Sequence, residues 1–254
     1  MGNDNQNDFK KTEVLSESIT IDGFEEEYFC IICGKPLLVT SVESICSYCG
    51  KSEKGDYICV DGHYICEECR VASGEEIIRK TCEASQEKDP LQIAILLMKH
   101  PAILMHGPEN HLITAYSILT ALRNIGNLSI GKREFERVAN RLKRASQGIC
   151  GSWGVCGCAI AVGAVTSIIT GANYLSDRER SLALEISSKI LGEIARLGGP
   201  RCCKASTFIA IKLAVEFFNH KLGIPIFISK DPRPCIFSKF NIECLKRRCP
   251  NYGE

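Results

Sequence analysis

The chain has 254 residues, of which 45% are hydrophobic and 16 are cysteines, and its formal net charge at pH 7 is +1. At about 100–200 residues per domain, this length allows one large domain, or a small domain followed by a medium one. A charge so near zero gives no general reason to expect binding to nucleic acid or to an anionic membrane. The polar N-terminus lacks the apolar core of a signal peptide, so we expect a cytoplasmic protein whose thiols stay reduced.

Residues 1–28 are polar and end in an acidic run, so we predict a disordered tail. Eight metal-ligand side chains follow within residues 29–70, with the spacing C-x2-C-x12-C-x2-C-x9-C-x3-H-x2-C-x2-C. These eight residues are Cys30, Cys33, Cys46, Cys49, Cys59, His63, Cys66 and Cys69. Two thiolates separated by two residues can reach one ion from a tight turn, and a structural zinc ion takes four such ligands. The pattern therefore predicts a module with two zinc ions, of the treble-clef or cross-brace kind.

The spacing leaves the pairing of these ligands open. In a cross-brace, the first and third ligand pairs share one ion, and the second and fourth pairs share the other. In a sequential ribbon, the first four ligands share one ion and the last four share the other. Both arrangements are closed, which favours a structural role for the zinc over catalysis.

Helical periodicity dominates the rest of the chain and predicts a mainly α fold. Residues 71–88 are expected to form a connector, and residues 89–222 a cysteine-rich helical domain of about six helices. Asp89 and Pro90 are typical of an N-cap and of the first helical residue. Residues 223–254 are irregular in pattern and contain three cysteines, so we expect a tail that packs on the helical domain.

One stretch approaches the length of a membrane span, because Gly148–Ser176 contains no charged residue. Its glycines, cysteines and hydroxyl residues suit a buried helix packed closely on its neighbours. We therefore expect a core helix and no membrane association. The sequence Ser176-Asp177-Arg178-Glu179 has the pattern of a capping box and predicts the start of the following helix.

Polar clusters precede three of the predicted helices, and helix starts favour anions and lower the pKa of thiols. If the three starts converge, they form a thiolate pocket with basic side chains. The candidate catalytic residues are His106, Glu109 and His111 at the first start, Cys150 and Cys156 at the second, and Arg201, Cys202 and Cys203 at the third.

Three kinds of chemistry fit such a pocket. Cys150, Cys156, Cys202 and Cys203 could bind an iron–sulfur cluster as cofactor. A cysteine of low pKa could instead act as a nucleophile or carry a persulfide, with a histidine as base. A single metal ion held by histidine and cysteine is the third alternative. The tail cysteines could add ligands to the same site or to a separate one, or remain free thiols; they are Cys235, Cys244 and Cys249.

Taken together, these motifs resemble an uncharacterised family, a domain of unknown function found in methanogenic archaea and anaerobic bacteria. The resemblance is carried by residues 61–66, by His106-Gly107-Pro108-Glu109, by the glycine-rich loop 150–157, by Gly199-Pro200-Arg201-Cys202-Cys203 and by the pair Cys244 and Cys249. It spans about residues 30–250. Members of that family can be fused to methyltransferase-like domains, so the resemblance implies a metal- or sulfur-linked role with a methyltransferase or redox partner protein.

The sequence thus favours a cysteine-ligated metalloprotein, with redox, sulfur-transfer or one-carbon chemistry in the helical domain. A zinc-dependent adaptor that binds RNA or protein without catalysis is the first alternative, although nucleic-acid binding is not favoured. Metal storage or delivery is the second. The sequence leaves the substrate and the oligomeric state open.

Overall fold

The computed structural model describes residues 20–21, 24–25, 28–229 and 234–253. The chain divides into two compact units, one formed by residues 1–47 and 51–66, the other by residues 48–50 and 67–254. The predicted disordered tail lies largely outside the described residues. Within that segment, strands β1 (Thr20–Ile21) and β2 (Phe24–Glu25) pair in antiparallel fashion.

The first unit is built from very short strands. The remaining strands of this unit are β3 (Leu37–Val39), β4 (Glu43–Ile45), β5 (Ser52–Lys54) and β6 (Tyr57–Cys59). β3 pairs antiparallel with β6, and β4 pairs antiparallel with β5. Strands of three residues bury too little surface to stabilise a fold of this size, so we expect its stability to come from bound metal.

The second unit is helical, which confirms the prediction of a mainly α fold. Nine α-helices occur among the described residues: α1 (Glu67–Arg70), α2 (Gly74–Ala84), α3 (Pro90–Met98), α4 (Glu109–Ile125), α5 (Lys132–Leu142), α6 (Ile149–Trp153), α7 (Gly157–Thr170), α8 (Arg178–Leu197) and α9 (Cys203–Phe217). A π-helical turn, Phe218–Leu222, extends α9. Two 3₁₀ turns, Ser238–Phe240 and Lys246–Arg248, lie in the C-terminal segment.

Helices α4 and α7 form the centre of this unit. α7 packs against α4, α5, α8 and α9, and most of its side chains are buried. At Gly163 an added Cβ would overlap the Ser187 side chain, so the absence of a side chain lets α7 and α8 approach closely. No helix in the described part of the chain is long and apolar enough to cross a membrane.

The start of α3 follows the sequence pattern. The Asp89 carboxylate accepts hydrogen bonds from the backbone N–H of Leu91 at 2.8 Å and of Gln92 at 3.3 Å. Its second oxygen accepts from the backbone N–H and the hydroxyl of Ser229 at 2.6 and 2.8 Å. Asp89 is fully buried, so this one carboxylate both caps a helix and fixes the C-terminal segment.

The capping box predicted at Ser176 is wrong. The N-cap of α8 is Asp177, and no side chain makes a capping hydrogen bond there. The Ser176 hydroxyl accepts instead from the backbone N–H of Asn173 at 3.1 Å, within the preceding turn. A capping box forms at the start of α2, between Ser73 and Glu76, inside the segment expected to be a connector.

Candidate metal and thiolate sites

The first group of metal-ligand side chains is Cys30, Cys33, Cys59 and His63, whose ligand atoms all lie within 4.8 Å of one another. The Sγ atoms of Cys33 and Cys59 are 3.3 Å apart, and Cys30 Sγ lies 3.8 Å from His63 Nδ1. Such spacing suits four ligands around one ion, because zinc–sulfur bonds are about 2.3 Å long.

Tight turns produce this geometry. The backbone N–H of Gly34 donates to the Cys30 carbonyl at 2.7 Å, and that of Gly62 donates to the Cys59 carbonyl at 2.7 Å. Both glycines have positive φ, 76° and 82°, which side chains disfavour. Gly34 directly follows the Cys30–Cys33 pair and Gly62 lies between Cys59 and His63, so each glycine closes the turn that brings the two ligands of its pair together.

The second group is Cys46, Cys49, Cys66 and Cys69, again with all ligand atoms within 4.8 Å of one another. The backbone N–H of Cys66 donates to Cys46 Sγ at 3.4 Å, a contact that stabilises a thiolate. His100 Nε2 lies 2.7 Å from the Cys69 carbonyl, and burial lowers the pKa of this histidine.

These two groups settle the pairing that the spacing left open. The first ligand pair joins the third, and the second joins the fourth, so the arrangement is a cross-brace and the sequential ribbon is wrong. All eight predicted zinc ligands belong to the two groups. The donor set of four thiols, and of three thiols with one imidazole, is typical of closed structural zinc sites.

In the helical unit, the starts of α4, α7 and α9 lie side by side. The Cys203 thiol accepts a hydrogen bond from the backbone N–H of Gly107 and interacts electrostatically with Cys156. Cys158 Sγ lies 3.5 Å from the Thr207 hydroxyl and 3.9 Å from the Asn110 carbonyl. Contacts among three helix starts therefore surround Cys156 and Cys203.

The two thiols differ in their surroundings. Hydrogen bonds lower the pKa of Cys156 to about 6, against the opposing effect of burial. The largest contribution comes from the Cys158 thiol, and further ones come from backbone N–H groups and the Ser206 hydroxyl. Cys158 is fully buried, and both its partner thiolate and its burial raise its pKa. Burial also raises the pKa of Cys203. Cys156 is thus the thiol of this group that is ionised near neutral pH.

Lys204 is a buried cation beside these thiols, with only 1% of its surface exposed. Its ammonium donates to the Leu104 carbonyl at 3.1 Å and lies 5.4 Å from the centre of the Phe237 ring. Burial lowers its pKa to about 8, although the nearby cysteines and Glu109 favour the charged form. A cation in this position favours negative charge on the neighbouring groups.

The histidines and Glu109 occupy different places around the helix starts. The His111 ring packs against Gly157, where an added Cβ would overlap it, and burial lowers the pKa of His111. Among the described atoms, His111 Nδ1 and Glu109 Oε2 are buried without a hydrogen-bond partner. His106 Nε2 lies 3.1 Å from Asn241 Oδ1 and 3.6 Å from Glu243, so His106 faces the C-terminal segment.

The remaining predicted residues lie elsewhere. Cys150 is exposed on α6, and Arg201 is exposed with its guanidinium 4.0 Å from Glu243. Cys202 lines a cavity together with all three cysteines of the C-terminal segment, Cys235, Cys244 and Cys249. The four cysteines expected to share a cluster are therefore divided between α6, the Cys156–Cys203 group and this cavity.

The sequence missed two partners of these cysteines. Asn241 Nδ2 donates to Cys202 Sγ at 3.5 Å, while its Oδ1 contacts His106. Ser206 donates to Cys156 from one turn inside α9. An asparagine and a serine in these positions follow no motif, so no pattern along the chain marks them.

The fold and the two ligand groups define a mainly helical, cysteine-rich protein with two sites that could hold metal ions. The chain belongs to DUF5714, a family of unknown function whose model matches residues 78–252. The eight ligands of the cross-brace precede that range. No curated protein and no solved structure matches this chain.

Proposed function

We propose that this protein is a zinc-stabilised metalloprotein whose helical unit performs redox or sulfur-transfer chemistry through a reactive thiolate, Cys156. The observation that carries the proposal is the set of donors around Cys156 at the junction of three helix starts. Zinc in the two closed groups would have a structural role, because such sites leave no coordination position open to a substrate.

The Cys156 thiolate is stabilised by groups that do not neutralise it. Its hydrogen-bond donors are the Cys158 thiol and N–H, the Ala159 N–H and the Ser206 hydroxyl. A thiolate held by neutral donors remains a nucleophile, and its accessibility then decides its reactivity. Cys156 is partly exposed, whereas Cys158 is buried, which supports Cys156 as the attacking sulfur.

His111 and Glu109 supply acid–base groups at the same junction. Burial holds His111 neutral, and its Nδ1 has no hydrogen-bond partner among the described residues. A neutral imidazole with a free nitrogen can take or return a proton. We propose it as the base that would serve the thiol chemistry, with Glu109, whose Oε2 atom is buried, interacting with it electrostatically.

A sulfur-transfer step fits these groups with a hydropersulfide as co-substrate. The Cys156 thiolate attacks the terminal sulfur of R–S–SH, the S–S bond breaks, and R–S⁻ leaves. Cys156 then carries the persulfide Cys–S–SH, with atoms and charge conserved. We propose one-carbon metabolism of an anaerobe as the setting, with a redox or methyltransferase protein as partner, as the family resemblance implies.

The test is transfer from a small hydropersulfide under anaerobic conditions, followed by mass spectrometry of the cysteine peptides. We expect one added sulfur atom on Cys156 in preference to Cys203, and loss of that product in Cys156→Ser. Cys203→Ser is the matched control and should keep the product. Equal sulfuration of both cysteines, or none at Cys156, would contradict the proposal.

A protein-binding adaptor is the second candidate, and exposed apolar side chains in the first unit favour it. These residues are Tyr28, Phe29, Ile31, Val39, Val42, Ile45 and Val60, each at least 40% exposed. Where exposed apolar side chains form a contiguous patch, they are typical of docking surfaces. Under this alternative, Ile45→Asp would abolish binding to the partner protein, whereas Cys156→Ser would leave that binding unchanged.

A further inference from the structure

Four cysteines from distant parts of the chain line one cavity in the second unit. Cys202 is the N-cap of α9, and Cys235, Cys244 and Cys249 come from the C-terminal segment. Electrostatic interactions join Cys202 to Cys244 and Cys249, and join Cys235 to Cys202 and Cys249. The four thiols are therefore neighbours around a common space, part of which is open to solvent.

Their spacing differs from that of the two cross-brace groups. Within the described residues, only the cross-brace groups bring three or more ligand atoms within 4.8 Å of one another. No three of the four cavity sulfurs therefore lie within 4.8 Å of one another, in contrast to the ligands of each cross-brace group. This separation, with open space between the thiols, suits a group that contains several metal atoms.

Each cavity sulfur accepts at least one N–H hydrogen bond. Asn241 Nδ2 donates to Cys202 Sγ at 3.5 Å, and the backbone N–H groups of Phe237 and Ser238 donate to Cys235. Such bonds stabilise thiolates and the sulfides of iron–sulfur clusters, and they help to set the reduction potential.

The other two sulfurs are held within the C-terminal segment itself. The backbone N–H of Lys246 donates to Cys244 Sγ at 3.4 Å, and Asn251 Nδ2 donates to Cys249 Sγ at 4.0 Å. Lys246 has a φ of 49°, a conformation that costs energy for a residue with a side chain. The backbone N–H of Cys235 donates to the Asn251 carbonyl at 2.8 Å, which closes the segment around the cavity.

The walls of the cavity suit an anionic group shielded from water. Phe208, Phe237 and Leu245 are all buried and line it. Lys204 also lines it, and its buried ammonium has a neutral carbonyl as hydrogen-bond partner. A cluster ligated by four thiolates carries net negative charge and would stabilise that cation.

We propose that Cys202, Cys235, Cys244 and Cys249 are the ligands of an iron–sulfur cluster. Of the four cysteines that the sequence favoured for this role, only Cys202 belongs to this set. Four thiolates around a shielded cavity, each accepting N–H bonds, match the ligand requirement of such clusters. The proposal goes beyond the Cys156 thiolate and does not depend on it.

The test is anaerobic reconstitution of the full chain with ferrous iron and sulfide, followed by quantitation of iron, acid-labile sulfide and zinc. We expect about two or about four iron atoms per chain with matching sulfide, and a brown protein with thiolate–iron absorption. Cys244→Ser and Cys249→Ser should lose iron, sulfide and colour while retaining zinc. Circular dichroism of both variants checks that the helices remain folded.

Cys203→Ser is the matched control, because Cys203 adjoins Cys202 but does not line the cavity. This variant should retain the full iron and sulfide content. Loss of the cluster in Cys203→Ser, its retention in Cys244→Ser, or zinc alone in the cavity would overturn the proposal. Since sulfuration of Cys156 is measured separately, either proposal can fail while the other stands.

Discussion

Cys156 and Cys203 allow a direct test of the thiol assignment, because both lie partly buried at helix starts and their pKa values shift in opposite directions. The perturbation is pH itself, varied from 8 to 5 under anaerobic conditions. The assay is alkylation by iodoacetamide, with the rate at each cysteine measured by mass spectrometry of its peptide. Only the thiolate reacts, so each rate follows the ionised fraction.

The magnitude follows from the two pKa values. With a pKa of about 6, Cys156 is about 99% ionised at pH 8 and about 9% ionised at pH 5, so its rate should fall only about tenfold. A thiol such as Cys203, with a pKa above 9.0, should lose close to a thousandfold over the same range. Near pH 7 the two rates would differ less than their ionised fractions, because nucleophilicity falls with pKa.

The shape of the profile therefore decides the question better than any single rate. We expect the Cys156 profile to level off above pH 7 and the Cys203 profile to rise throughout. Replacing Ser206 with alanine removes one donor and should move the Cys156 midpoint to higher pH. Parallel profiles for the two cysteines, or an unchanged midpoint in Ser206→Ala, would refute the reasoning.

Three further predictions concern stability and metal content. Cys66→Ser should lower bound zinc from about two to about one ion per chain. Cys82 is a buried thiol outside both ligand groups, so Cys82→Ser should keep both ions. Equal zinc content in the two variants would contradict the cross-brace assignment. Gly157→Ala should lower the free energy of unfolding by about 1–3 kcal/mol, because the added Cβ would overlap the buried His111 imidazole. Gly151→Ala should change it little, because open space surrounds the position of the added Cβ. Urea denaturation of both variants tests this. Asp89→Ala should lower the free energy of unfolding by about 3 kcal/mol in the same assay, since it removes a helix cap and leaves buried N–H donors unpaired. A loss below about 1 kcal/mol would show that water replaces the carboxylate.

Local patterns account for much of the fold. The spacing of the cross-brace ligands identified all eight, because each Cys-x-x-Cys turn is formed by neighbouring residues, two of them with a following glycine, Gly34 and Gly50. Asp89 and Pro90 predicted the start of α3 because an N-cap acts on the next two or three residues. In both cases the interaction that fixes the structure spans only a few positions along the chain.

Longer-range features could not be inferred in this way. The Ser176 pattern failed because a turn partner competed for the hydroxyl that would have capped the helix. The positions of the four cysteines expected to share a cluster depend in a similar way on distant parts of the chain. Cys202 and Cys203 are adjacent in sequence, yet the path of the C-terminal segment places only Cys202 in the four-thiol cavity.

The hydrogen bonds between Ser229 and the Asp89 carboxylate have a consequence for folding during synthesis on the ribosome. These residues are 140 positions apart, and His106 meets Asn241 across 135 positions. Contacts of such high sequence separation form late, because the entropy of closing the intervening loop opposes them. Helix α3 therefore emerges during synthesis with half of its capping carboxylate unsatisfied. The helical unit completes these contacts only after Ser229 and Asn241 have left the exit tunnel.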